Sequence, residues 1–336
     1  MPIAGVPTTV LVAPDAFKGT LQATEVAAAI GRGLERAGFQ TDLCPIADGG
    51  EGTLDALADA LGAEICMASV QDPLGRPIEA PFGLTRSTRR GASAVVEAAA
   101  ASGLHLVSGR EHDPVRASTF GTGQLIAAAL AAGARTVLVG AGGTATTDGG
   151  AGAIDALRRA GGVPRGARLI VLCDVRTPFE DAARVFATQK GATPDQVRRL
   201  TRRLNALARR FRGREPRGVP LTGAAGGLSG GLWATFGAEL VSGASYILDE
   251  IGFDPRLRRA RAVVTGEGRL DEQSLAGKAL SEVATRARQS GVPCHAIVGS
   301  SALDRFGLRI LDLQAVLEAG DGAELATAGR RLAALL

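Results

Sequence analysis

The 336-residue sequence predicts an α/β protein, a doubly wound parallel sheet built from both chain ends with a second α/β domain of mixed sheet inserted between them. Three observations carry this. Short, continuously apolar runs alternate with helix-period segments near both ends, and strands apolar throughout are buried on both faces, as in parallel sheets. Glycine-rich acidic loops follow these runs, at the strand ends where such sheets collect ligands. Aromatics make up only 4% of the chain against 46 glycines, which suits close helix–strand packing rather than an aromatic-rich β-sandwich.

The elements follow in order. Thr9 to Ala13 reads as a buried strand ending in Pro14-Asp15. A helix over 25–37 is closed by Gly38, and a strand over 41–46 enters Asp48-Gly49-Gly50-Glu51-Gly52. A helix over 53–61 closes at Gly62. Shorter strand-like pieces follow at 64–70, 78–84 and 94–97, joined by turns at Asp72-Pro73-Leu74-Gly75 and Arg89-Arg90-Gly91, a pattern of mixed or antiparallel sheet. A helix over 124–132 and a strand over 135–140 lead into Gly142 to Gly150, then a helix to Ala160 and a strand over 169–172. In the arginine-rich stretch 198–217, Leu200, Leu204, Leu207 and Phe211 recur at helical spacing, so the arginines face water. Glycine-dense 223–231 opens a helix around 232–236. Strands at 262–265, 294–298 and 314–317, a helix over 275–290 and a closing helix restore the doubly wound pattern. The expected domains are residues 1–70 plus 255–336 and residues 71–254, with hinges near Val70 and Gly252 and Gly75 as a further pivot.

Composition narrows function. Net charge is only +4, and the basic helix lacks interleaved aromatics, which argues against a nucleic-acid partner. No C-x-x-C pair occurs among Cys44, Cys66, Cys173 and Cys294, so they read as free thiols of a reducing, cytoplasmic compartment. No run approaches 18 apolar residues, so no membrane partner is expected.

Only Lys18, Lys190 and Lys278 are lysines among 38 basic residues; all others are arginine. A lysine retained against that background is a candidate for a compact point charge that a flat guanidinium cannot replace. Each sits beside glycine. Four loops share one design, glycines plus a carboxylate after a buried strand: Asp15 to Gly19, Asp48 to Gly52, Gly142 to Gly150 with Asp148, and Gly266 to Asp271. Such backbone presents N–H groups to anions, and carboxylates beside a phosphate imply a metal held through oxygen. The combination points to Mg2+-dependent phosphoryl transfer. There is no Walker A sequence and no dinucleotide fingerprint after the first strand. A nucleotide-dependent oxidoreductase and a non-catalytic anion-binding protein remain the alternatives.

Ala13-Pro14-Asp15-Ala16-Phe17-Lys18-Gly19-Thr20-Leu21 and Ala47-Asp48-Gly49-Gly50-Glu51-Gly52-Thr53 resemble the opening motifs of the bacterial type-1 glycerate kinases. The likeness continues through Asp72-Pro73-Leu74-Gly75, Thr119 to Gly123, Gly142 to Gly152, Cys173-Asp174-Val175, Gln189 to Ala192, Ala224 to Gly231, Thr265 to Asp271 and Gly277-Lys278. Departures are Ala16, where the family usually has serine, Ala187-Thr188, where it usually has Gly-Pro, and a short 157–169 stretch. The resemblance implies a flavodoxin-like domain, ATP and Mg2+ as cofactors, and phosphorylation of D-glycerate, in most members on the 2-hydroxyl; a 3-phosphorylating kinase or a kinase of a related hydroxy acid is the alternative. It implies a monomer or homodimer. The expected catalytic residues are Lys18, Asp48 and Asp148, with Asp48 and Asp148 on metal. The expected binding residues are Asp15, Phe17, Gly49, Gly50, Glu51, Gly121, Thr122, Gly123, Gly142, Gly143, Thr144, Thr146, Gly149, Gly150, Lys190, Gly266, Glu267, Gly268, Arg269, Asp271 and Lys278.

Overall fold

The computed structural model describes residues 9–17, 19–86, 91–276 and 278–336. The chain forms two compact units, residues 1–48 with 244–336 and residues 49–243. In chain order the first unit supplies β1 (Thr9–Pro14), α1 (Ala23–Glu35) and β2 (Gln40–Leu43). The second runs through α2 (Thr53–Leu61), β3 (Ala63–Gln71), β4 (Pro77–Thr85), β5 (Ala92–Glu97), α3 (Ala98–Ser102), α4 (Phe120–Ala131), β6 (Ala134–Gly140), α5 (Ala151–Arg159), β7 (Arg168–Cys173), α6 (Ala182–Phe186), α7 (Pro194–Ala208), α8 (Ala224–Phe236) and β8 (Glu239–Ser242). The chain returns with α9 (Gly243–Glu250), α10 (Phe253–Leu257), β9 (Ala262–Gly266), β10 (Arg269–Leu270), α11 (Ala279–Ser290), β11 (Cys294–Val298), β12 (Ser300–Ser301), α12 (Arg305–Ile310), β13 (Leu313–Glu318) and α13 (Gly322–Leu332). The units divide at 48/49 and 243/244, whereas the sequence suggests about 70 and 255. Pairing explains the first difference: β3 is antiparallel to β4 over its whole length, which ties the preceding segment to the second unit.

The first unit is a five-stranded sheet in the order β13-β11-β9-β1-β2, parallel throughout. β9 and β11 are buried at every residue. Alternate side chains feed opposite cores, as the two-residue strand period demands. Leu11, Ala13 and Val263 join one cluster with Val283, while Val10, Val12 and Val264 join the other with Ile30 and Leu325. Each fully buried aliphatic contributes about 1.5–3 kcal/mol, so a charge at Val264 would break the unit. α1 begins with a reciprocal capping box of Gln22 and Glu25. It crosses α13 at Gly33, where a Cβ would lie 2.1 Å from the Ala326 carbonyl oxygen.

The second unit carries a six-stranded mixed sheet, β3-β4-β5-β6-β7-β8, antiparallel from β3 to β5 and parallel from β5 to β8. α7 starts earlier than the leucine spacing indicates. Thr193 caps it, accepting from the Gln196 N–H, and Pro194 occupies the first turn. It ends at Ala208, and Phe211, outside the helix, meets Phe179 edge-on with ring centroids 6.0 Å apart. All four cysteines are free, and burial pushes the Cys44 thiol up to about 11. Among the described residues no helix is long and apolar enough to cross a membrane.

Candidate active site

In the first unit, a cavity of about 410 Å³ opens at the carboxyl edge of the parallel sheet. Asp15 follows β1, Asp48 lies beyond β2, Glu267 follows β9, Gly299 follows β11 and Gly320 lies just past β13, so each of the five strands delivers a residue to it. Parallel strands all end at one edge, which is why loops distant in sequence meet there. Asp15, Asp48 and Glu267 are buried, at 4%, 1% and 7% exposure. Arg269, Asp271 and Lys278 complete the charged lining. Arg269 and Asp271 pair loosely at 3.5 Å, with the arginine side chain exposed.

Backbone bonds fix these loops. The Asp15 N–H donates to the Gly266 carbonyl at 2.8 Å, and the Asp15 Oδ1 accepts from Ala16 N–H at 2.7 Å. Gly266 has no room for a side chain, since a Cβ would lie 2.1 Å from the Ile297 carbonyl oxygen. Lys278 caps α11, its carbonyl accepting from the Ser281 hydroxyl at 2.9 Å. Its ammonium thus belongs to a helix N-terminus that itself favours anions. The resulting chemistry is an acidic, oxygen-lined floor with two cations in the lining.

The second unit treats its own glycine–carboxylate loops differently. Asp148 is 1% exposed, and both its oxygens are filled. Oδ1 accepts from Gly150 N–H at 3.0 Å and from the Thr119 hydroxyl at 3.1 Å. Oδ2 accepts from Thr119 N–H at 2.9 Å, the Thr119 hydroxyl at 2.9 Å and Gly152 N–H at 3.1 Å. These bonds staple the loop of Asp148, the expected metal and base residue, to the start of α4. Lys190 is also enclosed. Its Nζ donates to the Thr146 carbonyl at 2.6 Å and the Thr144 hydroxyl at 3.3 Å. Burial lowers its pKa to about 8 against the opposing pull of Asp174 and Asp148. Lys190 underpins the loop rather than offering a free cation. Above it, Gly226 adopts φ +63°, and a Cβ there would lie 2.1 Å from the Thr146 carbonyl oxygen. Gly149 N–H donates to the Gly226 carbonyl at 3.0 Å.

The Gly49 to Gly52 segment belongs to this unit as well. A Cβ on Gly142 would meet the Gly50 Cα at 2.6 Å, so these two loops touch backbone to backbone. Glu97, at the end of β5, accepts from the Leu54 N–H at 2.7 Å and so caps the first turn of α2, directly after Glu51 and Gly52. Burial raises the Glu97 pKa to about 7, partly offset by that bond, with Asp55 and Glu51 adding to the rise. Sequence reading missed Glu97, because it ends an apolar strand with no glycine beside it.

Of the residues picked out by sequence, the first unit's cavity gathers Asp15, Phe17, Asp48, Glu267, Gly268, Arg269, Asp271 and Lys278. Gly121, Thr122 and Gly123 form the buried first turn of α4. A Cβ on Gly121 would lie 1.8 Å from the Gln71 carbonyl oxygen, and the Thr122 hydroxyl bonds Ser102 at 2.7 Å, which makes them packing residues. Gly143, Thr144, Thr146 and Gly150 lie in the strapped loop with Asp148. Lys18 lies outside the described residues.

The sequence matches the model of the glycerate kinase family over residues 10–162 and 162–329. It is 37% identical to the glycerate kinase of Halalkalibacterium halodurans over 97% of each chain. It is 35% identical to the glycerate 2-kinase of Escherichia coli K12 over 87% of this chain and 85% of that one. A solved chain from Salmonella typhimurium LT2, described as a putative glycerate kinase 2, superposes with a TM-score of 0.78 at 32% identity over 97% of both.

Proposed function

The chain belongs to the glycerate kinase family and is a kinase, and from that premise we propose that it uses ATP and Mg2+ to phosphorylate D-glycerate on the 2-hydroxyl. The observation that carries this reading is the cavity of the first unit, where Asp15, Asp48 and Glu267 lie buried beneath Arg269 and Lys278. Its donors are oxygens, the set a hard cation prefers. Among the described residues no three acidic, His or Cys side chains converge as a complete metal cage. Mg2+ needs none, since it keeps several waters and binds through one or two carboxylates plus substrate phosphates. Asp48 and Glu267 would hold it, and the metal would supply charge neutralisation across the transferring phosphates. Lys278 and Arg269 bind phosphate oxygens from the rim. Asp15, anchored by its own backbone bonds, orients the attacking hydroxyl as a hydrogen-bond acceptor. Asp148 and Lys190 hold the second unit's loop in one shape.

Counted within the first unit, the strand order is 2-1-3-4-5, which supports a flavodoxin-like domain carrying the second unit as an insert. The free thiols support a cytoplasmic setting. The name of the Escherichia coli relative favours the 2-hydroxyl over the 3-hydroxyl. The test is glycerate-dependent ADP release across a Mg2+ titration, with phosphorus NMR of the product. A 3-phosphoglycerate resonance would overturn the regiochemistry. Glycerate-independent or Mg2+-independent turnover would overturn the assignment of the cavity.

A further inference from the structure

A second concavity, of about 720 Å³, lies in the second unit and is lined by Arg158, Arg209, Arg210 and Arg212, together with Phe211 and Thr235. None of these four guanidiniums lies within ion-pair distance of a described carboxylate, whereas neighbouring Arg159 pairs with Asp155 at 2.8 Å and Arg217 with Glu215 at 2.9 Å. Arg214 is likewise engaged, lying over the Trp233 ring at 5.1 Å. The plain reading is that arginines complement helix C-termini, for α5, α7 and α8 all end here. Magnitudes decide against that as the whole account. Each helix end carries about half a negative charge, so three supply roughly −1.5 against four full positive charges. Glu215, already paired with Arg217, lies in electrostatic reach of Arg209, and even counting it in full more than one positive charge remains uncompensated around one hollow. Thr235 also lines the hollow, and its hydroxyl oxygen is shielded from solvent without a hydrogen-bond partner.

We propose that this hollow is a binding site for a small polyanion, a molecule carrying at least two phosphate or carboxylate groups, separate from the cavity at the sheet edge. Guanidinium forks match phosphate and carboxylate oxygens bidentately. Phe211 offers the ligand an apolar wall. Phe211 also rests edge-on against Phe179, and Phe179 packs where Gly149 and Gly227 leave no room for a Cβ. An occupant therefore touches the aromatic pair that supports the strapped Thr144 to Gly150 loop.

The experiment uses inorganic pyrophosphate as probe, titrated calorimetrically into the full chain. The variants are Arg158→Glu with Arg210→Glu, and, as a control of equal charge change, Arg305→Glu with Arg309→Glu on α12, all at exposed positions. The expected result is at least tenfold weaker binding in the first variant and little change in the control. Amide exchange is expected to slow in segments 156–160 and 208–214 when pyrophosphate is added to the wild-type chain. Equal weakening in both variants would show general surface charge and overturn the site. Protection confined to the loops at 15–20 and 266–271 would place the probe at the sheet edge and overturn it too. So would tight binding of a DNA duplex, abolished by the first variant, with no binding of pyrophosphate.

Discussion

The sheet edge of the first unit and the Thr144 to Gly150 loop of the second are written alike: glycines, a carboxylate, and a lysine in the same unit. They fold to opposite ends. At the sheet edge the acids line an open cavity with Lys278 at its rim. In the second unit, Asp148 is filled by backbone and Thr119 donors, and Lys190 is sealed under the loop. Asp148 is surrounded by N–H groups that need an acceptor, while the sheet-edge acids sit where five strands end.

The comparison breaks most sharply on rate. Asp48→Asn is expected to lower kcat by roughly 10³-fold, near the upper end for losing one preorganised charge, with an unaltered melting curve. Steady-state kinetics beside circular dichroism checks this, and a mutant that merely unfolds would erase the distinction.

The reverse pattern is expected of Asp148→Ala. Loss of a buried acceptor with several charge-assisted bonds destabilises the second unit by about 3 kcal/mol. The single tryptophan, Trp233, lies in α8 and reports urea unfolding of that unit by fluorescence. An unchanged midpoint with an altered Mg2+ dependence would return Asp148 to the metal.

Glu97 provides a pH test. Its folded pKa of about 7 lies above its ordinary 4.5, so the folded state holds more protons between those values. Stability from this group is therefore greatest below pH 4.5 and declines as pH rises toward 7, by about 1–3 kcal/mol. Glu97→Gln should flatten that slope, read as urea midpoints at pH 5 and pH 7. A wild-type chain with no slope would show that the carboxylate titrates normally.

The smallest effect belongs to Arg269. Its ion pair is exposed and long, worth well under about 1 kcal/mol. Arg269→Gln is expected to leave the melting temperature unchanged and to raise KM for the nucleotide by about tenfold, as loss of a rim contact would. A changed stability would mean that this rim, too, is structural.

Much of this was legible in the sequence. Continuous apolar strands announced the parallel sheet, and the glycine–acid loops marked its edge correctly at Asp15, Asp48 and Glu267. The leucine period alone does not locate the start of α7, which the Thr193-Pro194 cap sets. The bonds of Asp148 are hidden for another reason. Whether a carboxylate is satisfied depends on Thr119, 29 residues away, and no local pattern encodes that bond. Glu97 and Leu54 meet across 43 residues and were invisible on the same grounds.

The sheet order has a consequence for how the chain is made. β1 lies between β2 and β9, bonded along its length to residues 262–266. A ribosome adding 5–20 residues per second needs roughly 12–50 s to travel the intervening stretch of about 250 residues. Throughout that interval the nascent β1, almost wholly apolar, has no second neighbour, while the uninterrupted second unit has all its strands and is free to close first. The N-terminal strand is therefore the segment most in need of shelter during synthesis, and the first unit is the last to be born.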